Sequence, residues 1–242
     1  MQLIDESLVK AVQFDKYGYI GDPCNTVRIF NELEVDELCF LDIRASRENR
    51  TPNYKILQDI ADECFMPLSY GGGISTFEQA KQIFSIGFEK VILNTQAFRN
   101  PKLVTQIATH FGVQAVVVSV DFKKTGSIYN AYINDGKEKI SEDILTYIKR
   151  IEDAGAGEVL LTSIDKEGTW NGFDVNFVKY ITSNTKLPVI AQGGAGDINH
   201  IAQVVNVGGA SAVALGSMVV YQKKGMGVLV NFPDRKKLSS NL

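Results

Sequence analysis

Short unbroken apolar runs recur along the chain at 37–42, 67–70, 90–93, 115–120, 158–163, 188–191 and 212–215. Continuous rather than alternating apolar character marks strands covered on both faces, as in a parallel sheet. The stretches between them carry helix start signals. Asp22 and Pro23 offer an N-cap and an N1 proline before VRIFNEL. Ser75, Thr76, Phe77 and Glu78 form a capping-box sequence before QAKQIFSIG. Asp197 precedes INHIAQVVNVGG, whose glycines stop that helix. Strands alternating with helices over this length imply a doubly wound sheet or an eight-stranded barrel. One insertion stands out after Asp121, where KKTGSIYNAYINDGKEKI alternates and carries an Asn-Asp-Gly turn at 134–136. It predicts a β-hairpin in the loop after the fifth strand.

The chain also repeats itself. Shifted by 121 residues, ELCFLDI at 37–43 falls on EVLLTSI at 158–164, and Gly72-Gly73 on Gly193-Gly194. With one further residue of slip, Asn94-Thr95 falls on Gly216-Ser217. Three landmarks in one order at nearly one offset point to two related halves. Eight strands divide into two fours, so the repeat favours a (β/α)8 barrel over the doubly wound sheet. The expected organisation is one domain over 1–242, with half-barrels at about 1–115 and 116–242.

Composition narrows the function classes. The chain has 242 residues, 45% hydrophobic and 22% charged, as in a globular protein with a large core. A net charge of -3 argues against a nucleic-acid or acidic-membrane surface. No apolar run approaches the ~18 residues of a membrane span, and MQLIDESLVK lacks the pattern of a signal peptide. Cys24, Cys39 and Cys64 are odd in number and show no CxxC spacing, so reduced, mostly buried thiols of a cytoplasmic protein are expected. His110 and His200 lie far from them in sequence, so no metal site and no cofactor are expected.

Chemistry in such a barrel sits at the C-terminal ends of the strands, and both glycine clusters fall there. Glycine lets backbone N–H groups approach an anion, and a following helix N-terminus adds a favourable dipole. Gly72-Gly73 and Gly193-Gly194 are therefore candidate phosphate cradles, each followed one strand later by a polar end, Asn94-Thr95 and Gly216-Ser217. Two cradles across one mouth suit a substrate with a phosphate at each end. The plainer alternative is that the glycines only make tight strand-to-helix turns. Asp121 ends the run VVVSVD, where a carboxylate raised in pKa by burial can act as acid or base. Asp42 and Asp165 also follow strands, Glu167-Gly-Thr169 could meet a phosphate or hydroxyl, and Lys10 is the basic residue nearest the first strand.

Taken together, DELCFLDIRAS, YGGGIS, KVILNT, QAVVVSVD, GAGEVLLTSIDKEGT and QGGAGD resemble the cyclase subunit of imidazole glycerol phosphate synthase, over residues 8 to 220 and in order. The resemblance implies a (β/α)8 barrel of duplicated halves acting on a bis-phosphorylated aminoimidazole carboxamide ribonucleotide. It implies a glutaminase partner docked on the N-terminal face, with ammonia passing through the barrel core to the C-terminal face. It places Asp121 as one of two catalytic aspartates. Gly73, Asn94 and Thr95 match one phosphate site, and Gly194, Gly216 and Ser217 the other, beside Gly72 and Gly193. Lys10, Asp42, Thr162, Glu167 and Gly168 are candidate substrate contacts. Glu37, Lys90 and Glu158 match charged residues around the ammonia entrance; ionised groups on strand starts are costly unless paired or solvated, so a gate or a salt-bridge ring is physically sensible.

The sequence departs from the family in several places. The other catalytic aspartate is replaced by Gln2, which cannot transfer a proton as a carboxylate does. Asp5 could substitute only from three residues further along. Most of the first strand is expected to lie before Met1, leaving an open or truncated barrel with parallel edges. Arg44 stands where a small hydroxyl residue is usual, Glu167 where an aspartate is usual, and Trp170 follows soon after. The family reaction, ammonia-dependent cyclisation and lysis of the histidine-pathway substrate, is one expectation. A relative of the cyclase that works in making amidino sugars for surface polysaccharides is another, since such relatives lack the first aspartate. A non-catalytic ammonia-guiding partner is the reading of a different class.

Overall fold

The computed structural model describes residues 1–242. In chain order the elements are β1 (Gln2–Ile4), β2 (Ser7–Val12), β3 (Lys16–Gly21), α1 (Pro23–Glu32), β4 (Leu38–Asp42), α2 (Tyr54–Glu63), β5 (Leu68–Gly71) and α3 (Phe77–Ile86). Next come β6 (Lys90–Leu93), α4 (Thr95–Arg99), α5 (Pro101–Phe111), β7 (Val116–Thr125), β8 (Ile128–Ile133), β9 (Glu138–Lys139) and α6 (Ile144–Asp153). The chain ends with β10 (Glu158–Ser163), α7 (Val175–Thr182), β11 (Val189–Gln192), α8 (Ile198–Asn206), β12 (Ala212–Ala214), α9 (Ser217–Val220) and α10 (Arg235–Ser239).

The parallel strands curl in the order β1-β4-β5-β6-β7-β10-β11-β12, the sequential order of a (β/α)8 barrel. All seven apolar runs are strands of this sheet. The first position is filled by the three residues of β1, in register with β4 through Gln2 opposite Leu41 and Leu3 opposite Asp42. The first strand is thus cut short, as expected. No hydrogen-bonded pairing joins β12 to β1, so the sheet has a seam there.

Two hairpins, not one, rise from the C-terminal end. β7 and β8 pair antiparallel as the alternation predicts. β2 and β3 form a matching hairpin after β1, which the expectation of a single insertion missed. Its strands mix buried and exposed positions irregularly, with a bulge between Leu8 and Val9, so their alternation is weak.

The helices begin where their caps allow. Asp22 accepts from Asn25 N–H at 2.8 Å, with Pro23 at the first helical position. Asp197 caps α8 through His200 N–H at 3.0 Å. The capping box of α3 lies one residue later than expected. Thr76 accepts from Gln79 N–H at 3.2 Å and the Gln79 amide oxygen answers at Thr76 N–H at 3.1 Å. Ser75 instead donates its N–H to Gln79 at 2.7 Å, because Gln79, not Glu78, is the third residue of the helix.

A core of 48 buried residues fills the layer between sheet and helices. The barrel interior is a separate, smaller apolar group of Ile92, Val117 and Leu160, with Leu41, Cys39, Ile190 and Ala214 around it. Cys24, Cys39 and Cys64 are free, and all three are half-buried rather than buried. No helix is long and apolar enough to cross a membrane.

Candidate functional site

Asp121 lies in β7 at the mouth of the barrel, where the parallel ladder with β10 places it beside Thr162. It is buried. Ser119, two residues earlier on the same strand face, donates its hydroxyl to Oδ1 at 3.0 Å. Asn94 donates from Nδ2 to Oδ2 at 3.3 Å and to the Ser119 carbonyl at 3.0 Å. Burial nevertheless wins over the Ser119 bond and pushes the carboxyl up to about 7. A carboxyl that is half-protonated near neutrality can both take and give a proton.

Gln2 occupies the corresponding first strand. Its Oε1 accepts from Ala11 N–H at 2.6 Å, and its Nε2 donates to Glu167 Oε1 at 3.3 Å. The Lys10 ammonium pairs with the same Glu167 oxygen and donates to the Ala11 carbonyl at 3.0 Å. Both charged side chains are only 5% exposed, so each neutralises the other in a closed, hydrogen-bonded knot. A carboxylate therefore does reach this corner, but from Glu167 and locked to Lys10. Asp5 does not: its side chain is 76% exposed beside Arg50.

The glycine pairs obey the repeat closely. Gly72, Gly73, Gly193 and Gly194 all have left-handed backbone, at φ 123°, 69°, 97° and 108°. A Cβ on Gly72 would lie 2.5 Å from the Asp42 carbonyl, and one on Gly193 2.6 Å from that of Ser163. On Gly73 it would meet the Arg50 carbonyl at 2.3 Å, and on Gly194 that of Gly172 at 2.2 Å. The loop after the preceding strand thus packs against each pair, and glycine is required there whatever binds.

A cavity of about 100 Å³ brings together Gln2, Asp42, Gly72, Gly73, Asn94, Thr95, Asp121 and Thr162. Lys10, Glu167 and Gly216 line a second, larger cavity of about 450 Å³ that shares Gln2 and Gln192 with the first. Gly193, Gly194, Gly168 and Ser217 line neither; the second glycine pair lies under the β10–α7 loop, with Gly172 N–H donating to the Gly194 carbonyl at 2.8 Å. Asp42 is fully engaged, taking two bonds from Arg50 and the N–H groups of Arg44 and Ala45. Asp165 accepts from Lys124 N–H at 2.8 Å and so ties down the β7–β8 hairpin. Ser119, Gln192, Phe14 and Asp135, none of them a candidate from the sequence, also line the first cavity. Ser119 was findable by strand periodicity from Asp121; Asp135 was hidden in a turn triplet read only as a turn.

At the other end of the barrel, Lys90 sits between Glu37 at 2.9 Å and Glu158 at 3.0 Å. Burial pulls its ammonium down, but the two carboxylates outweigh burial and the pKa is raised. The larger cavity is lined by Glu37 and Ser69 near this end, by Ile92, Val117, Leu160 and Ile190 inside the barrel, and by Gln192 near the mouth. Phe30 of α1 and Ile201 and Val205 of α8 line it too, so it also opens sideways at the β12–β1 seam.

The fold and this mouth define a class: a duplicated (β/α)8 barrel with a buried carboxyl of raised pKa at the C-terminal ends of its strands and a charged ring at the opposite end. Residues 2–225 match the family model described as "Histidine biosynthesis protein", and the chain belongs to that family. It is 43% identical over 234 residues to the "Putative imidazole glycerol phosphate synthase subunit HisF" of Leptospira borgpetersenii, covering 96% of this chain and 92% of that one. A second relative described as a HisF-type subunit of that synthase, from Pseudomonas aeruginosa, is 46% identical over 237 residues, 98% of this chain and 94% of that one. The "Imidazole glycerol phosphate synthase subunit HisF" of Leptospira biflexa is 41% identical over 213 residues, 87% and 84% of the two chains. The chain is thus HisF-like, similar to the cyclase subunit of that synthase.

Proposed function

We propose that the chain is the ammonia-using, cyclase-like subunit of a two-protein enzyme. A glutaminase docks on the face where the strands begin, ammonia passes through the barrel, and it reacts with a bis-phosphorylated substrate at the mouth. The observation that carries this reading is Asp121, a buried carboxyl held near pKa 7 in the wall of the mouth cavity. A purely ammonia-guiding barrel has no use for such a group, which costs folding energy at neutral pH.

Other features support the remaining parts. The Gly72-Gly73 turn, Asn94 and Thr95 line the same cavity as Asp121, as a phosphate site next to the reacting atoms would require. The apolar interior between the Lys90 ring and the mouth suits a small neutral molecule. Phe65, in the loop before β5, is 89% exposed and Val113 before β7 is exposed too, a pattern expected of a face covered by a partner.

Gln2 favours a second reading of the substrate: the sugar-amidinating relative in place of the histidine-pathway ribonucleotide. Locked to Glu167 and to Ala11 N–H, Gln2 cannot do the work of the family's first aspartate. The test mixes the chain and a cognate glutaminase with the bis-phosphorylated aminoimidazole carboxamide ribonucleotide and ammonium chloride, following both binding and substrate loss. Binding with rapid loss supports the histidine-type reaction. Binding with little or no loss supports the sugar relative. Absence of binding overturns the bis-phosphate assignment.

A further inference from the structure

Four carboxylates approach the mouth: Asp42, Asp121, Asp135 and Glu167. Asp42 is held through both oxygens by Arg50 and two N–H groups, and Glu167 is neutralised by Lys10 and also takes the Gln2 amide, both on Oε1. Asp135 is different. Its side chain is 4% exposed, yet its only bond is from Arg47 Nη1 to Oδ2 at 3.1 Å, and Arg47 itself is partly solvated. Oδ1 has no protein donor. Asp135 nevertheless lines the same cavity as Asp121, Asn94 and the Gly72-Gly73 turn.

The backbone is arranged to put it there. Asn134, Asp135 and Gly136 are consecutive left-handed residues, at φ 56°, 58° and 68°. Left-handed Asn and Asp followed by Gly is the ordinary backbone of a hairpin turn, here the one between β8 and β9. Asn134 N–H donates to Thr95 Oγ1 at 3.1 Å, which pins the turn to the end of β6, and the Phe14 ring covers Gly136 from the other hairpin.

We propose that Asp135 is the second proton-transfer group of this site, working with Asp121 in place of the carboxylate that Gln2 has replaced. The proposal rests on reading the cavity as a site of ammonia chemistry. Ammonia adding to a carbonyl carbon gives an imine and one molecule of water. The carbon–nitrogen bond forms, the carbon–oxygen bond breaks, and two protons move from nitrogen to the departing oxygen; nothing is oxidised or reduced. One carboxylate takes a proton from nitrogen while a carboxylic acid gives one to oxygen, so two carboxyl groups facing one cavity complete the transfer. Burial raises Asp135 as it does Asp121, against the lowering influence of Arg47, Lys137 and Arg44 and with that of Glu48. The charge of Asp135 is felt by Asp121 and by the Tyr17 hydroxyl on β3.

The test has two arms. In the first, carboxyl-labelled aspartate is titrated by carbon NMR in the whole chain, in Asp121→Asn and in Asp135→Asn. Asp135 is expected to titrate above the ordinary aspartate range, and each variant is expected to lower the midpoint of the remaining partner. In the second, substrate loss is followed with the aminoimidazole carboxamide ribonucleotide and ammonium chloride. Asp135→Asn is expected to lower kcat at least tenfold with KM within twofold, and Asp135→Glu to restore part of it. Arg47→Gln is the companion variant: it removes the only partner of Asp135 but keeps the carboxyl, so the pH optimum of kcat is expected to move upward while turnover is largely kept. An Asp135 that titrates at an ordinary value and ignores Asp121→Asn overturns the proposal, whether or not this substrate turns over. So does an Arg47→Gln loss as large as that of Asp135→Asn, which would make the pair structural. Coupled titration without turnover in the parent chain sinks the substrate assignment and leaves Asp135 standing.

Discussion

The two halves of the barrel share their glycine turns but not their acids. In the first half, the opening strand carries Gln2, tied into a neutral knot with Glu167 and Lys10, while its glycine pair faces an open cavity. In the second, the opening strand carries Asp121, buried and raised in pKa, while its glycine pair lies under the β10–α7 loop. The shared features answer a folding constraint: a backbone carbonyl within 2.6 Å of every would-be Cβ at these glycines. The differing features answer to chemistry, because nothing in the packing of a barrel requires one carboxyl to stay half-protonated. Repetition in the sequence therefore marks what the fold needs, and its breaks mark what the site does.

The largest effect that sharpens this contrast is expected at Asp121. Asp121→Asn should lower turnover by roughly 10²–10⁴, the range for a lost acid–base group, while phosphate binding stays unchanged. Its stability should move the other way. The folded-state pKa of about 7 lies above the unfolded value of 3.8. The parent chain therefore loses stability as pH rises from about 4 to about 7, where the unfolded state has released a proton that the folded state still holds. Asp121→Asn should match the parent near pH 4 and melt several degrees higher at pH 8, a gap of ~2–4 kcal/mol. Equal melting at both pH values would mean that the carboxyl is ordinary and the contrast between halves only apparent.

The glycine pairs come next. Gly73→Ala and Gly194→Ala each force a Cβ against a backbone oxygen, at 2.3 and 2.2 Å, from a left-handed conformation. Each is expected to cost about 3 kcal/mol, roughly 6–12 °C in Tm for a chain of this size. Near-equal losses would confirm that the pairs are folding devices in both halves. A much smaller loss at Gly73 would mean that the β4–α2 loop yields where the β10–α7 loop does not.

Gln2→Asp tests the break in the repeat directly. It removes the amide donor to Glu167 Oε1, now 3.3 Å away, and sets a second carboxylate, one methylene shorter, near that oxygen and Ala11 N–H. Like charges raise one of the two pKa values, so the variant should be destabilised by ~1–3 kcal/mol at pH 8 and recover as pH falls. Thermal melts across pH 5 to 8 read this. A variant of undiminished stability at pH 8 would show that Lys10 can serve both carboxylates.

Most of the fold was legible because buried parallel strands leave unbroken apolar runs and helices announce their caps. What escaped was set by neighbours distant in sequence. The β2–β3 hairpin was missed because its burial pattern is irregular, whereas the shortness of the first strand followed from how few residues precede Lys10. At the site, Asp121 and the cradles followed from their place at strand ends. The Lys10–Glu167–Gln2 knot joins residues more than 150 positions apart, and Asp135 enters the cavity only through the way its turn is pinned to Thr95.

The smallest effect is expected at the far end, where the halves meet in one ring. Lys90→Gln leaves Glu37 and Glu158 facing each other without their shared cation. All three side chains are partly solvated, so the loss should be no more than about 1 kcal/mol and should shrink with added salt. Function should be more sensitive than stability. With a glutaminase partner bound, glutamine-driven turnover should change while turnover driven by ammonium chloride should not, because free ammonia can enter at the mouth. Equal change in both would place Lys90 in the folding of the barrel floor. Change in the glutamine-driven rate alone would make the ring a gate, a second place besides the mouth where residues of both halves act on one molecule.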